Sequence, residues 1–241
     1  MRRRQSLDRQ TDRQTDRQTD RQTDRQTRIT DLRKAVKWFE LGSVIKSLNT
    51  GLNPRQFFKL NTDDAENYYV TIRDIRNGII VPSEKTDRIN DYALRLCNNR
   101  SNLESGDVLF SGTGTIGETA VIEETPTNWN IKEGVYAIKP DPQKLNSKFL
   151  RYILMTTTIR ESYLKKVAGG TVKSIPMAEM KKLRIPIPSL GEQERIVAIL
   201  DRFDTLCNDI TVGLPAEIEA RQKQYEYYRD KLLSFKEYPD S

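Results

Sequence analysis

A glycine-rich stretch at residues 112–117 is the first candidate for chemistry in this sequence. It matches the pattern G-x-G-x-x-G, whose glycines let a backbone approach a phosphate when a strand precedes the motif and a helix follows it. A strand-like run at 107–110 does precede it, but residues 118–122 resemble a second strand rather than a helix. We therefore predict a glycine-rich turn between two strands.

The composition excludes several kinds of catalysis. The chain has no histidine, so Ser-His-Asp and Cys-His relays and a histidine general base are impossible. Its two cysteines, Cys97 and Cys207, cannot form a zinc site of the Cys/His type, and we expect both to be free thiols. Covalent hydrolases and the usual metalloenzymes are therefore poor candidates.

Two other patterns are similar to catalytic sites. Pro140 and Asp141, with the distant Glu179 and Lys181, resemble the residues that hold magnesium beside a phosphodiester in nucleases. Their separation is long and Asp141 lies between two prolines, so solvated charges are the favoured interpretation. Residues 110–114 resemble the glycine motif that binds S-adenosylmethionine in methyltransferases, but the chain lacks the Asp/Asn-Pro-Pro-Tyr/Phe motif that holds a target base.

The elements around these motifs indicate an α+β fold over residues 31–190. Short apolar runs separated by turn residues predict strands, and Phe149, Tyr152, Ile153, Ile159 and Tyr163 recur at near-helical spacing. Pro186 and Pro188 predict an extended connector after this domain. The predicted strands lie at 68–72, 78–81, 107–110, 119–122 and 135–138, and the predicted helix at 146–166.

A different pattern occupies residues 191–236. Apolar side chains recur there in steps of three and four, which predicts a long helical, coiled-coil arm with one apolar face. Gly213 and Pro215 predict a kink, or a helix end with Pro215 starting a second helix. Because an apolar face is unfavourable in water, we expect either a helix of a partner chain or the chain's own domain to pack against it. The expected dimerisation residues are Ile196, Leu200, Phe203, Leu206, Ile210, Ile218, Tyr225, Tyr228 and Leu232.

Residues 1–30 form a tail of another kind. Residues 8–27 are five tandem copies of Asp-Arg-Gln-Thr, which would stack like charges in a helix, so we predict disorder. The repeated tetranucleotide ACAG encodes this peptide in any frame, which suggests a slippage-prone tract and phase-variable expression. Nine Arg and five Asp give the tail +4 of the chain's net charge of +6, so the charge alone is weak evidence for nucleic-acid binding.

The blocks that decide the function lie between Gly169 and Phe235. Residues 170–175, 183–188, 193–201 and 224–233 closely resemble the specificity subunit of type I restriction-modification systems. Residues 41–43, 69–75 and 106–110 resemble it more loosely, and the similarity covers about residues 35–236. The resemblance implies a non-catalytic, sequence-specific reader of double-stranded DNA: a target recognition domain at 31–190 and a conserved helical spacer and dimerisation arm at 191–236, followed by a tail at 237–241.

The resemblance also implies partners. Methylation subunits and a motor-nuclease subunit would bind S-adenosylmethionine, ATP and magnesium, and this chain would bind no cofactor or metal. Members of the family usually carry two recognition domains and two helical regions, whereas this chain has one of each. We therefore expect a homodimer, or pairing with a second half-subunit, on a split and palindromic target.

Two groups of residues have side chains suited to DNA. Around 169–174, the backbone N–H groups of glycines, hydroxyl groups and lysine ammonium groups suit phosphate contacts. Arg73 and Arg76 could instead donate to O6 and N7 of guanine. The glycine-rich turn adds hydroxyls. The candidates for phosphate contact are Lys165, Lys166, Thr171, Lys173 and Ser174, and those on the turn are Ser111, Thr113 and Thr115.

Two rival functions remain open at this stage. One is a single-chain DNA methyltransferase that binds S-adenosylmethionine at residues 110–114, and the other is an inactive, phase-varied remnant. The sequence has no secretory signal and no apolar run long enough to span a membrane, so we expect a soluble cytoplasmic protein with no membrane partner.

Overall fold

The computed structural model describes residues 36–169, 172–208 and 215–235, in which short strands precede a helical C-terminal part. The elements below lie in the compact unit Trp38–Ser234, apart from Lys37. The strands are β1 (Lys37–Glu40), β2 (Ile45–Thr50), β3 (Asn67–Val70), β4 (Ile75–Arg76), β5 (Ile79–Ile80), β6 (Arg88–Ile89), β7 (Val108–Ser111), β8 (Thr119–Val121), β9 (Trp129–Ile131), β10 (Val135–Pro140) and β11 (Arg184–Ile187). The α-helices are α1 (Pro54–Phe57), α2 (Asp91–Ser101), α3 (Ser147–Met155), α4 (Thr157–Leu164), α5 (Met177–Lys181), α6 (Leu190–Asn208) and α7 (Pro215–Leu232).

The predicted mixture of helices and sheets is confirmed. The largest described sheet is antiparallel with the order β2-β10-β7-β8, and a second sheet has the order β6-β3-β9, with β3 and β9 parallel. β1 pairs with β11, and β4 with β5. Val70, Leu109, Ile131 and Ala137 are buried together between these strands. Each predicted strand is present with slightly shifted ends.

The predicted continuous helix at 146–166 is wrong, because the chain forms two helices there. Thr156 has an extended backbone (φ −66°, ψ 146°), and its hydroxyl donates to the carbonyl of Ile153 at 2.7 Å. Asp230 of α7 then accepts from the backbone N–H of Thr157 at 3.2 Å and from its hydroxyl, as a helix cap does. A local side chain therefore ends α3, and a distant one starts α4.

Gln193 attaches α6 to the rest of the fold. Its side chain is fully buried, and its Oε1 accepts from the backbone N–H of Asn146 at 2.8 Å. Its Nε2 donates to the carbonyls of Lys144 and Pro188, each at 2.9 Å. Asn146 in turn caps α3 by accepting from the N–H of Phe149. One amide thus joins the start of α6, the connector and the start of α3.

The apolar face of residues 191–236 is partly covered by its own chain. Ile196 and Leu200 are buried in α6, which contacts α3, and Tyr225 of α7 is buried too. Tyr152 and Arg151 of α3 contact α6, through Asp201 at 2.7 Å and Asp204 at 3.5 Å. The prediction that Pro215 starts a second helix is confirmed.

Phe203, Tyr228 and Leu232 are less enclosed. The ring of Phe203 stacks on that of Tyr228 at 5.8 Å and so joins α6 to α7, while Tyr228 remains 37% exposed. The tails at 1–30 and 237–241, Thr171 and Ile210 lie outside the described residues, as do the side chains of Leu206, Cys207 and Ile218. No helix in the described ranges is long and apolar enough to cross a membrane.

We predict that Gln193→Ala destabilises the protein by about 2–4 kcal/mol, because it leaves a buried N–H and two carbonyls without their partner. Urea unfolding measures this change. Glu194→Ala, an exposed truncation on the same helix, is the control, and it should change the free energy of unfolding by about 0.5 kcal/mol or less. Equal effects of the two substitutions would contradict the role given to Gln193.

Candidate nucleic-acid interface

The glycine-rich segment is a turn between antiparallel strands, as predicted. β7 and β8 pair with Phe110 opposite Thr119, and no helix follows the glycines. The Ser111 hydroxyl donates to the carbonyl of Thr115 at 2.6 Å and accepts from the N–H of Glu118 at 2.8 Å. Ser111 is fully buried, so its hydroxyl organises the turn and is not exposed for contact with DNA.

A second loop, described at residues 168–169 and 172–175, is held against this turn. The N–H of Gly114 donates to the carbonyl of Lys173 at 3.0 Å, and the N–H of Ile175 donates to that of Gly112 at 2.9 Å. Thr113 and Ser174 form an isolated antiparallel bridge, and Ala168 pairs with Ser174 across the neck of the loop. The structure thus joins two candidate DNA-contact segments that are about sixty residues apart in the sequence. We call the two together the recognition junction.

Gly112 is required at this place for packing. A Cβ on Gly112 would lie 2.2 Å from Cε2 of Tyr136, whose ring packs against the turn. Tyr136 is buried, its hydroxyl donates to the carbonyl of Ile175 at 2.5 Å, and burial raises the pKa of this phenol. The ring is therefore anchored from both ends and has little freedom to move away from an added methyl group.

The predicted contact residues differ in exposure. Thr115, Lys165 and Lys173 are exposed, whereas Thr113 and Ser174 are half-buried at the junction. Lys166 lies 3.4 Å from the carboxylate of Glu179. Hydrogen bonds from Lys182 and then from Lys166 lower the pKa of Glu179. Lys166 thus has a carboxylate partner, whereas Lys173 has none among the described residues.

Arg76 lies on a separate hairpin, and Arg73 lies just before it, in the 3-10 helical turn Ile72–Asp74. Arg76 ends β4 and is exposed, and Asn77 and Gly78 (φ 51° and 80°) form the tight turn into β5. Arg73 is 70% exposed, with its nearest carboxylate, Asp87, at 3.9 Å. The hairpin contacts β8, where the N–H of Val121 donates to the carbonyl of Gly78. Arg76 therefore lies on a hairpin that contacts β8, the strand that follows the glycine-rich turn.

The structure adds two charged residues that sequence reasoning missed. Arg100 at the end of α2 and Glu133 before β10 line a cleft beside the junction, together with Thr113 and Val172. These four residues come from four separate segments of the sequence with no shared motif, so no local sequence pattern indicates that they form a cleft.

The nuclease-like and cofactor-like patterns do not form the sites they resemble. Asp141 lies in the turn after β10, 3.4 Å from Lys144, and Glu179 on α5 lies 2.9 Å from Lys182. Within the described ranges no cluster of three or more acidic or cysteine side chains could hold a metal ion. The strand-turn-helix context of an S-adenosylmethionine or dinucleotide loop is replaced by a β-hairpin.

Comparison with known proteins gives concordant results. Residues 34–220 match the type I restriction modification DNA specificity domain. The chain is 31% identical over 210 residues to the specificity subunit of the type I restriction enzyme EcoprrI of Escherichia coli, covering 84% of this chain and 51% of that one. It is 61% identical over 70 residues to the EcoR124I/EcoR124II specificity subunit of the same species, covering 29% of this chain and 17% of that one.

The fold is also similar to a solved structure. The crystal structure of the HsdS subunit from Thermoanaerobacter tengcongensis matches with a TM-score of 0.50 and 19% identity, covering 81% of this chain and 46% of that one. The chain thus spans about half the length, or less, of these relatives.

We predict that Gly112→Ala destabilises the protein by about 1–3 kcal/mol, because the added methyl group overlaps the anchored ring of Tyr136. Gly191→Ala is the matched control, since a Cβ there meets nothing within 4 Å. Urea unfolding should separate the two variants, with Gly191→Ala at or above wild-type stability. If Gly112→Ala unfolds at the same urea concentration as the wild type, the turn can accommodate the methyl group without loss of stability.

Proposed function

The chain belongs to the family of type I restriction modification DNA specificity domains, and from this membership we propose that it is the DNA-reading subunit of a type I restriction-modification complex. It binds double-stranded DNA at a defined sequence and directs methylation subunits and a motor-nuclease subunit to that site. Those partners bind S-adenosylmethionine, ATP and magnesium, and this chain supplies recognition without catalysis.

The family match is the observation that carries this proposal, and the recognition junction supports it. Its exposed hydroxyl and ammonium groups, on Thr115 and Lys173, lie on backbone that is fixed by hydrogen bonds between the two loops. A rigid surface loses little conformational entropy on binding, which favours a specific complex over a loose electrostatic one. Lys173 supplies contacts that position the phosphates, and Arg76 on the adjacent hairpin supplies a guanidinium for base readout.

The helical part supports pairing of two such chains. A coiled-coil arm built from α6 and α7 would place two recognition domains apart on a split target, and a homodimer requires that target to be palindromic. Because Ile196, Leu200 and Tyr225 are covered by their own chain, the intermolecular contact falls to the more open side chains, Phe203, Tyr228 and Leu232. A second half-subunit of different specificity could occupy the same place.

Methylation mapping tests the function. Cells that express the chain with a type I methylation subunit should acquire adenine methylation in one split motif, and cells with either subunit alone should not. Ultraviolet crosslinking of radiolabelled S-adenosylmethionine to the isolated chain should give no labelled product. Labelling would favour the methyltransferase alternative, and a complex that forms without any motif would favour the inactive remnant.

We predict different effects for two substitutions in the assembled complex. Lys173→Ala should weaken binding to all duplexes alike and lower the salt slope by about 1, because one phosphate contact is lost. Arg76→Ala should relax preference at one base position, at a cost of about 1–3 kcal/mol. Lys223→Ala is the control, since this exposed lysine is already paired with Glu219 on its own helix. If Lys173 and Arg76 both behave like Lys223, the DNA face lies elsewhere.

We also predict that the complex with the methylation subunit contains two copies of this chain. Light scattering during size-exclusion chromatography measures the stoichiometry. Tyr228→Glu should reduce it to one copy, because a carboxylate replaces an aromatic contact that is half open in the single chain. Glu226→Ala on the same helix should leave it at two. One copy in the wild-type complex would exclude the homodimer.

A further inference from the structure

A cleft of about 570 Å³ beside the recognition junction has a mixed chemical character. Arg100 contributes a cation, Glu133 an anion, Thr113 a hydroxyl and Val172 an apolar side chain. Cations favour phosphate contacts, and the carboxylate of Glu133 would repel a phosphate group. The edges of base pairs, in contrast, present donors, acceptors and the thymine methyl group side by side. The mixture in this cleft therefore suits bases better than the sugar-phosphate backbone.

The polar groups at the floor of the cleft are already satisfied. The Thr50 hydroxyl donates to the carbonyl of Val135 at 3.0 Å and accepts from the N–H of Gly134 at 3.1 Å. The hydroxyl of Tyr136 donates to the carbonyl of Ile175. The donor hydrogens of both hydroxyls are thus used inside the protein, and the charged side chains at the rim are the stronger hydrogen-bonding groups for a ligand.

The rim differs in this respect. In the part of the chain that the structure describes, neither Arg100 nor Glu133 has a side-chain hydrogen bond or an ion pair, and both are exposed. Val172 is 62% exposed, the highest exposure among the large apolar side chains described. Its loop is closed by two hydrogen bonds between Ala168 and Ser174, at 2.8 and 2.9 Å. Val172 is thus an apolar group held at a defined place on the rim, where it can contact an apolar group of a ligand.

We propose that this cleft reads base edges in the major groove, an inference that rests on the proposed function. Arg100 donates to O6 and N7 of a guanine, Glu133 accepts from N4 of a cytosine, and Val172 contacts the C5-methyl group of a thymine. The cleft thus determines sequence, while Lys173, the exposed residue next to Val172, positions the DNA backbone. Arg100, Glu133 and Val172 are specificity-determining residues of this subunit.

The first experiment compares methylation motifs. Arg100→Lys keeps the charge but loses the planar fork, so it should lose preference for guanine at one position by about 5- to 150-fold and keep the salt slope. Arg100→Gln should lose the same preference. Arg95→Gln, an exposed arginine on the same helix outside the cleft, should keep the wild-type motif. An unchanged motif, or a uniform loss with a lower salt slope in Arg100→Gln alone, would overturn the assignment of Arg100 to a base.

The second experiment removes one methyl group at a time from the DNA. Replacing each thymine of the wild-type target by uracil should weaken binding about fourfold at one position, the value for one buried methyl group. The complex with Val172→Ala should be insensitive at that position. Insensitivity of the wild type at every thymine, or an unchanged fourfold loss in the variant, would overturn the role of Val172.

The two proposals fail in different ways. If the wild-type complex has no methylation motif, the proposed function is wrong and the inference falls with it. If the motif exists but does not respond to Arg100, Glu133 and Val172, the function stands and only the base-reading cleft is wrong. The methylation motif of Glu133→Gln is the third test. Loss of the carboxylate should relax the preference for cytosine at one position.

Discussion

Backbone hydrogen bonds between the glycine-rich turn and the loop at 168–175 hold the candidate DNA face together. The N–H of Gly114 and the carbonyl of Gly112 are both used in this junction, so neither is free to cradle a ligand. The same bonds place Thr113 beside Ser174. Without them the hydroxyls, Lys173 and Val172 would belong to two independent loops with no common geometry.

The junction is supported from behind by a closely packed interior. Phe110 lies under the turn, with its ring stacked on Tyr136 at 6.5 Å and meeting the edge of Tyr163 at 5.3 Å. Tyr163 is fully buried, and this burial raises the pKa of its phenol to about 12. Loops that bind DNA need to be exposed, and rigid aromatic packing beneath them limits the conformational entropy lost on binding.

The helical part is joined to the same interior through polar contacts. Gln193 at the start of α6, Asp201 in its middle and Asp230 near the end of α7 each bond to the region of α3 and α4. Removing one partner of a buried hydrogen bond costs more than the bond itself contributes, and this applies to Gln193, which is fully buried. Asp201 and Asp230 are partly exposed, so their contacts contribute less. The orientation of the recognition face relative to the helices is set by side chains of both.

The sequence by itself predicted five of the eleven described strands, the turn at 112–117, the helix start at Pro215 and the family. These depend on local periodicity, on proline and glycine, and on sequence blocks that are specific to the family. The sequence did not determine the break at Thr156, since the cap of α4 comes from Asp230, more than seventy residues away. It also misassigned Ser111, whose hydroxyl is used inside the turn. Only the tertiary structure decided that Arg100, Glu133 and Val172 share a cleft with Thr113, because their proximity depends on strand pairing and loop contacts that no single segment encodes.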